Sequence, residues 1–399
     1  LCEDKKMKLF QRLLVAPAVL GFLSPISASA NEVNLNEISN YSDIESIEFA
    51  NSFDNEDLNV NPLLAGGEGL MDNHDHGPED SFSSTTSASF SVDMAIGAVD
   101  GYGTPVSGDN NTGETVQTAY GYQIDLSTSF TGEDALSVSL DAGAGGAALG
   151  ELDLNSGGDT LTVDGITYSF PLGEKATVLV GDSTDGSALY STACVYGGFT
   201  NTLDDCGNYS SAFTTTGTNS VGFSASYDIG NGFTGAVGYA GPGTGVGVMN
   251  KEGTDYYGAQ VAYAADNYGA SVTYANLELT ANSSTEDQTV WGLNGYYVPD
   301  SSLPSISVGY EMGDPETAKD TTQWFVGLQW DEMGPGTLGV AAGSKGPITD
   351  GADELMAYEA FYSYPVNDGM TITPAIFMLE NSTGTEDQTG IVVKTSFSF

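Results

Sequence analysis

Two cysteines are the residues whose chemistry is easiest to predict from their spacing. Cys194 and Cys206 lie twelve positions apart in a stretch rich in Gly, Asn, Asp and Thr. In an oxidising compartment, two such thiols form a disulfide that closes one loop. A metal site fits poorly, because no His lies near the two thiols in the sequence. We therefore predict a disulfide between Cys194 and Cys206.

The two histidines, His74 and His76, lie among acidic residues in a short polar segment. Such a pair could bind a divalent metal ion, but two imidazoles without a further ligand make an incomplete site. A solvated acidic linker is the preferred interpretation. We therefore predict no metal site and no cofactor.

The sequence contains none of the motifs expected of an enzyme. There is no G-x-S-x-G nucleophile elbow, no H-E-x-x-H metal motif and no phosphate-binding loop with its lysine. Both histidines precede the main part of the chain, which excludes a Ser-His-Asp triad there. We predict no catalytic residue and no enzymatic activity.

The charge of the chain excludes one class of partner. The 399 residues carry a formal net charge of -45, with only 9 Lys plus Arg. Binding to nucleic acid needs a basic face, so nucleic acid is not expected as a partner. The acidity fits either solubility in a salty medium or a selective role.

The first thirty residues are predicted to be a leader. Met7 is a plausible start, followed by Lys8 and Arg12, an apolar run from Leu13 to Leu23 and the small residues Ala28 to Ala30. This order is typical of a secretory signal peptide cleaved after Ala30. A spanning helix is the alternative, but the apolar run is too short. Residues 31–86 are acidic and polar and are interpreted as a periplasmic segment and linker.

From Ser87 to Phe399 the chain repeats one pattern, in which apolar and polar residues alternate in segments of about ten residues. In the last segment Ile391, Val393 and Phe397 lie on one face of an extended strand, and Lys394 and Ser396 on the other. We count about sixteen strands, joined by seven short turns and eight longer loops. Strands of about 9–11 residues suffice to cross a bilayer when tilted. The pattern predicts an all-β, antiparallel transmembrane barrel over residues 87–399.

The alternation alone does not distinguish a membrane barrel from an exported soluble sandwich. Aromatic residues collect near the strand ends beside the short turns, as expected of an interfacial girdle. The opposite face carries small, polar and charged residues that suit a wet lumen. The charged residues predicted to face the lumen are Asp93, Asp125, Glu311, Glu359 and Lys394.

The third of the long loops, at about residues 183–219, is the longest. A sixteen-stranded barrel is wide enough for an aqueous channel, so a disulfide-closed loop folded inward would narrow it. A loop that stays on the surface is the alternative. Acidic side chains in the lumen would attract cations and repel anions. The residues assigned to this constriction are Asp182, Tyr190, Tyr196, Asp204 and Asp205.

Several stretches resemble the OprB-like, carbohydrate-selective porins of cyanobacterial outer membranes, a group often labelled iron-uptake porins. The resemblance covers essentially the chain after the leader. It is carried by N-E-V-N-L-N-E-I from Asn31, the hairpin Val163 to Val178, Tyr190 to Gly198, Leu203 to Asn208 and the closing Phe399. It implies a trimeric, passive diffusion channel for small solutes and inorganic ions. Many such proteins carry a peptidoglycan-binding domain before the barrel, but the segment 31–86 is too short to form one.

The resulting functional hypothesis is an outer-membrane porin that prefers cations and passes small hydrophilic solutes and ions. Small carbohydrates are the alternative substrate, and a surface barrel acting as adhesin or receptor is the alternative function. The expected partners are outer-membrane lipid, two further copies of the chain, and the barrel assembly machinery. That machinery would read the last strand, with Phe399 as its insertion signal. Both chain ends are expected in the periplasm.

Overall fold

The computed structural model describes residues 85–102, 115–145, 147–155, 157–204, 206, 220–243, 247–249, 253–278, 287–382 and 386–399. The predicted leader, the linker up to residue 84 and Asp205 lie outside these residues. Among the residues described, no helix is long and apolar enough to cross a membrane.

One antiparallel sheet contains all the strands that the structure describes. Sixteen of them are long and one, β14, has two residues. In chain order they are β1 (Thr85–Asp100), β2 (Gln117–Ser129), β3 (Ala135–Gly143), β4 (Thr162–Leu172), β5 (Ala176–Asp182), β6 (Ser220–Gly230), β7 (Phe233–Pro242), β8 (Asp255–Ala264), β9 (Tyr268–Glu278), β10 (Gln288–Tyr297), β11 (Ser305–Pro315), β12 (Thr321–Met333), β13 (Gly336–Ser344), β14 (Ile348–Thr349), β15 (Met356–Asn367), β16 (Met370–Leu379) and β17 (Gln388–Ser398).

The sheet closes on itself because β1 pairs with both β2 and β17. Phe90 and Phe399 extend this closure: each accepts a hydrogen bond from the backbone N–H of the other, at 2.9 and 3.1 Å. Their rings also stack, with centroids 5.6 Å apart. Closure removes the unpaired edges that an open sheet would expose. The predicted all-β barrel of about sixteen strands is confirmed.

The two ends of the barrel differ, as the sequence predicts. Seven connections are turns at one end, such as residues 231–232 and 334–335. Eight connections lie at the other end and include 101–116 and 183–219. The shortest of these eight, 316–320, is no longer than the turn 130–134, so the contrast is not strict.

The two faces of the barrel wall also differ. On β1, Met94 and Ile96 are 54% and 50% exposed, whereas Ala95 between them is 4% exposed. The same alternation runs along β9 and β11. Because neighbouring side chains in a strand point to opposite faces, large apolar side chains cover the outside of the barrel. On β9 and β11 most inward residues are small or polar.

Aromatic rings gather on the outside near the short turns. Phe130 and Phe170 both pack on Tyr168, with ring centroids 6.4 and 5.5 Å apart. Phe233 and Tyr268 pack on Tyr263 in the same way, at 4.7 and 5.8 Å. These pairs form part of a belt of outward rings at one end of the barrel.

Candidate functional site

The third loop joins β5 to β6 and folds into the barrel rather than away from it. Its first contacts are with inward side chains of β6 and β8. The N–H of Leu189 donates to Ser224 Oγ at 3.2 Å. Gln260 exchanges two hydrogen bonds with the backbone of Ser191: its Oε1 accepts from the N–H at 2.6 Å and its Nε2 donates to the carbonyl at 2.8 Å. Ser224 and Gln260 are both buried beneath this part of the loop.

Further along, the third loop crosses the inner faces of β11 and β12. The N–H groups of Val195 and Tyr196 both donate to Ser307 Oγ, at 3.0 and 3.1 Å. The next N–H, that of Gly197, donates to Gln329 Oε1 at 2.9 Å. Inward Ser and Gln side chains therefore bind loop backbone groups that would otherwise need water.

The densest contact is with Glu359 on β15. Its Oε1 accepts from the Tyr196 hydroxyl at 2.8 Å and from the Phe199 N–H at 2.9 Å. Its Oε2 accepts from the Thr200 N–H at 2.8 Å and from Thr200 Oγ1 at 2.6 Å. The carboxylate, 3% exposed, is thus satisfied by four donors from the loop. Burial, followed by the nearby charge of Glu359, raises the pKa of Tyr196, so its hydroxyl keeps the proton that it donates.

An apolar cluster surrounds this contact inside the barrel. The ring of Tyr196 packs against Phe325 and Phe361, with centroids 5.4 and 5.9 Å apart, and Phe199 stacks on Phe361 at 6.1 Å. Phe377 and Leu203 belong to the same cluster. We call this set the inner apolar cluster. It corrects the expectation of a uniformly wet lumen, because part of the inner wall is dry.

A second segment contributes to the inner apolar cluster from the connection between β3 and β4. Its 3-10 helix, Ala147–Leu152, is followed by Leu154, and the leucines at 149, 152 and 154 are all buried. Two bonds join it to the third loop: Asn201 N–H donates to the Glu151 carbonyl, and Thr202 Oγ1 to Glu151 Oε2, both at 2.8 Å. Two chain segments therefore line one side of the lumen together.

A disulfide joins Cys194 and Cys206, whose Cα atoms are 6.4 Å apart. It spans the residues that bind Ser307, Gln329 and Glu359. The carbonyl of Cys206 also accepts a hydrogen bond from Asn294 Nδ2 on β10 at 3.0 Å. The disulfide therefore closes the part of the third loop that crosses the inner wall.

The residues predicted for the constriction are dispersed. Tyr196 is buried at the Glu359 contact, and Tyr190 is half-buried against β7 near Gly238. Asp204 is exposed on the loop, with its backbone packed against Gly198.

The assignment of Asp182 to the constriction needs correction. Asp182 pairs with Ile166 on one side and Val221 on the other. Directly opposed residues in a ladder share a face, and Ile166 is an exposed outward residue. Asp182 therefore faces outward, at the end of β5.

The charged residues predicted to face the lumen are on the inward face but differ in access. Glu311 and Glu359 are only 2% and 3% exposed, so neither carboxylate lines open space. Asp93 and Asp125 are half-buried. Lys394 Nζ lies 5.4 Å from the ring centre of Phe199, a cation–π contact with the third loop.

One side of the lumen is left more open. The inward faces of β3 and β4 lack the buried alternation of β9 and β11. Asp125 accepts from Ser139 Oγ at 2.6 Å and Asp141 from Thr162 Oγ1 at 2.5 Å. Asp164 is exposed and lies within electrostatic reach of both carboxylates. We call these three residues the acidic wall; Asp141 and Asp164 are not among the predicted site residues.

Among the residues that the structure describes, no group of three or more His, Cys, Asp or Glu could hold a metal ion.

Comparison with known proteins identifies the fold. No protein-family model and no curated protein matches the sequence. Among solved structures, Pseudomonas putida OprB at high pH is similar, with a TM-score of 0.59 and 11% identity over 79% of this chain and 94% of that one. A mutant of the Rh. blastica porin is similar with a TM-score of 0.53 and 14% identity, over 79% and 100% of the two chains. At these identities the likeness establishes the fold alone: this chain is a closed sixteen-stranded barrel of the architecture seen in these porins.

Proposed function

We propose that the chain is an outer-membrane diffusion channel for small hydrophilic solutes and inorganic ions. The observation that carries the proposal is the third loop, which crosses the inner wall through Gln260, Ser307, Gln329 and Glu359. A loop tied to the inside of a barrel would narrow its lumen, as expected of a channel that selects by size. A surface adhesin would have no need of such a loop.

The outer face supports a location in the outer membrane. Its apolar side chains would face lipid, and the aromatic belt would lie at the interface beside the short turns. In that orientation the short turns, the start of β1 and the end of β17 would all lie on the periplasmic side. The last strand, which ends next to Phe399 stacked on Phe90, would then be the segment that the barrel assembly machinery recognises.

The acidic wall supports a preference for cations. Three carboxylates lie on adjacent strands of the more open side of the lumen, where they would concentrate cations and repel anions. Between residues 13 and 250 the sequence contains no Arg and a single Lys, Lys175, in the turn between β4 and β5. The inward Lys394 lies on β17, separated from β2 by β1, and its Nζ lies against the ring of Phe199.

Ions and small polar solutes are the proposed substrates, with small carbohydrates as the alternative. Sugars are commonly held by aromatic rings that offer an open face. In the inner apolar cluster, the rings of Tyr196, Phe199, Phe325, Phe361 and Phe377 are all buried by one another and by the loop. These rings therefore offer no open track for a sugar.

A homotrimer is proposed as the assembly. The outward face of β12, β13, β15 and β16 contains a shallow groove of about 490 Å³ lined by apolar residues, including Val326, Val340, Tyr358 and Ile376. Side chains of a neighbouring copy could fill this groove. The mass of the protein in detergent, measured by light scattering with the detergent contribution subtracted, tests the assembly directly.

The decisive experiment on function is single-channel recording of the refolded protein in a planar bilayer under a KCl gradient. We expect discrete openings with a reversal potential that favours K⁺. A reversal potential that favours Cl⁻ would support the channel function but contradict the proposed preference for cations. A correctly folded barrel without openings would reject the channel and favour a surface receptor.

A further inference from the structure

We infer that Glu359 is a positioning residue that sets the width of the channel by holding the third loop against β15. The inference rests on the proposed function. It assigns this role to one buried carboxylate of the inner wall, 3% exposed.

The hydrogen bonds to Glu359 have the geometry of an anion site. The N–H groups of Phe199 and Thr200 are consecutive and point at the same carboxylate, one at each oxygen. The hydroxyls of Tyr196 and Thr200 complete the set, again one at each oxygen. Consecutive N–H groups of this kind form a concave anion site. Here the third loop provides the site, and the barrel wall provides the anion.

The other contacts hold the third loop less precisely than Glu359 does. The inner apolar cluster attracts the loop, but apolar packing is non-directional and does not fix where the backbone lies. Ser307 and Gln329 bind one or two N–H groups each with neutral acceptors. Among the wall residues that the structure describes in contact with the third loop, Glu359 alone combines a charged acceptor with four donors, and hydrogen bonds to charged groups are the stronger ones.

Removing the carboxylate has a definite consequence. Four loop donors would be left in a buried place without an acceptor, which is unfavourable unless they reach water. The loop segment would therefore leave the wall. Both Tyr196 and Phe199, now 5% exposed, would become accessible.

The test compares Glu359→Ala with Glu354→Ala. The Glu354→Ala variant removes the same charge from a position just before β15. Glu354 is exposed, and its carboxylate accepts a hydrogen bond from Trp324 Nε1 instead of from the third loop. The first readout is chymotrypsin, which cleaves after Tyr and Phe. Cleavage between Cys194 and Cys206 leaves fragments that separate only on reduction, so it is recognised without ambiguity. We expect it in folded Glu359→Ala, but not in the parent or Glu354→Ala.

The second readout is conductance. In Glu359→Ala we expect a larger open-channel current and loss of the steady single level of the parent. Glu359→Gln keeps one acceptor oxygen and should lie between the parent and Glu359→Ala. Sodium formate, a free carboxylate of suitable size, should restore both the protease resistance and the steady current of Glu359→Ala, whereas neutral formamide should not.

Each outcome has one meaning. Equal protease resistance and equal current in Glu359→Ala and the parent would overturn the inference while leaving the channel in place. A parent without openings would reject the proposed function, and the protease result would still decide whether Glu359 holds the loop. If Glu359→Ala does not fold, as judged by heat-dependent gel mobility, Glu359→Gln is compared in its place.

Discussion

A single carboxylate shapes the turn between β2 and β3. Asp134 Oδ1 accepts from the N–H groups of Phe130 and Thr131 and from the hydroxyls of Ser129 and Thr131, all within 2.9 Å. Its Oδ2 accepts from the Tyr168 hydroxyl on β4 at 2.7 Å. These bonds, led by that of the Thr131 N–H, hold the pKa of Asp134 well below its usual range. The ionised side chain therefore does for this turn what an acidic cap does for a helix.

This shift predicts a pH dependence of stability. Because the folded-state pKa is lowered, the contribution of Asp134 is complete above the unfolded value of about 3.9 and is lost as pH falls below it. We expect Asp134→Asn to lower the urea midpoint at pH 7 and to flatten its decline below about pH 4. Urea unfolding in detergent micelles, followed by Trp fluorescence across pH, measures both effects. Glu133→Gln removes the same charge in the same turn and should leave the profile unchanged.

Among the elements, the third loop fits the barrel only because the wall beneath it lacks side chains at certain points. A Cβ atom on Gly309 of β11 would lie 1.7 Å from the carbonyl oxygen of Cys206. One on Gly238 of β7 would lie 1.8 Å from the carbonyl oxygen of Gly186. These two inward glycines therefore admit loop backbone directly against the strand.

We predict that Gly309→Ala displaces the loop without opening the barrel. Overpacking of this kind typically costs about 1–3 kcal/mol, and the loop can move whereas the closed sheet cannot. The expected result is chymotrypsin cleavage between Cys194 and Cys206 in a barrel that keeps its heat-dependent gel mobility. Gly295→Ala on β10 is the control, because its Cβ would meet nothing closer than 3.4 Å. Cleavage in both variants would show that the effect is not specific to the contact between Gly309 and the third loop.

At the scale of the whole molecule, the lumen is asymmetric. The third loop and the 3-10 helix Ala147–Leu152 build the inner apolar cluster, which reaches inward residues of β12, β13, β15, β16 and β17 and the neighbouring parts of β1 and β2. The acidic wall lies on β2, β3 and β4. The proposed path for ions therefore runs beside the acidic wall and not through the centre of the barrel.

This asymmetry predicts which charges govern selectivity. Asp164→Asn should move the reversal potential in a KCl gradient away from K⁺, and Asn at 125, 141 and 164 together should move it further, because fewer carboxylates attract cations. Asp182→Asn is the matched control, since it removes one charge from the outward face at the end of β5. Equal shifts from Asp164→Asn and Asp182→Asn would contradict a path along the acidic wall.

Much of the architecture follows from sequence alone because strand periodicity is a local property. Apolar residues at every second position identify all sixteen long strands, and turn residues such as Asn231 and Gly232 mark where the chain reverses. The third loop, predicted at about 183–219, lies between β5 and β6, which end and begin at Asp182 and Ser220. The outward orientation of Asp182 was also within reach, because it continues the alternation of Val178 and Val180.

Only the tertiary structure distinguishes inward residues that look alike in sequence. Glu311, Glu359 and Asp125 occupy equivalent inward positions, yet loop backbone reaches Glu359 from about 160 positions away, and no local pattern records a contact of that separation. Phe325, Phe361 and Phe377 interrupt the polar face, but their meaning depends on the loop that covers them. Periodicity therefore determined the barrel and the location of its long loop. The path of that loop across the lumen was decided by long-range hydrogen bonds and packing, which exist only once the sheet has closed.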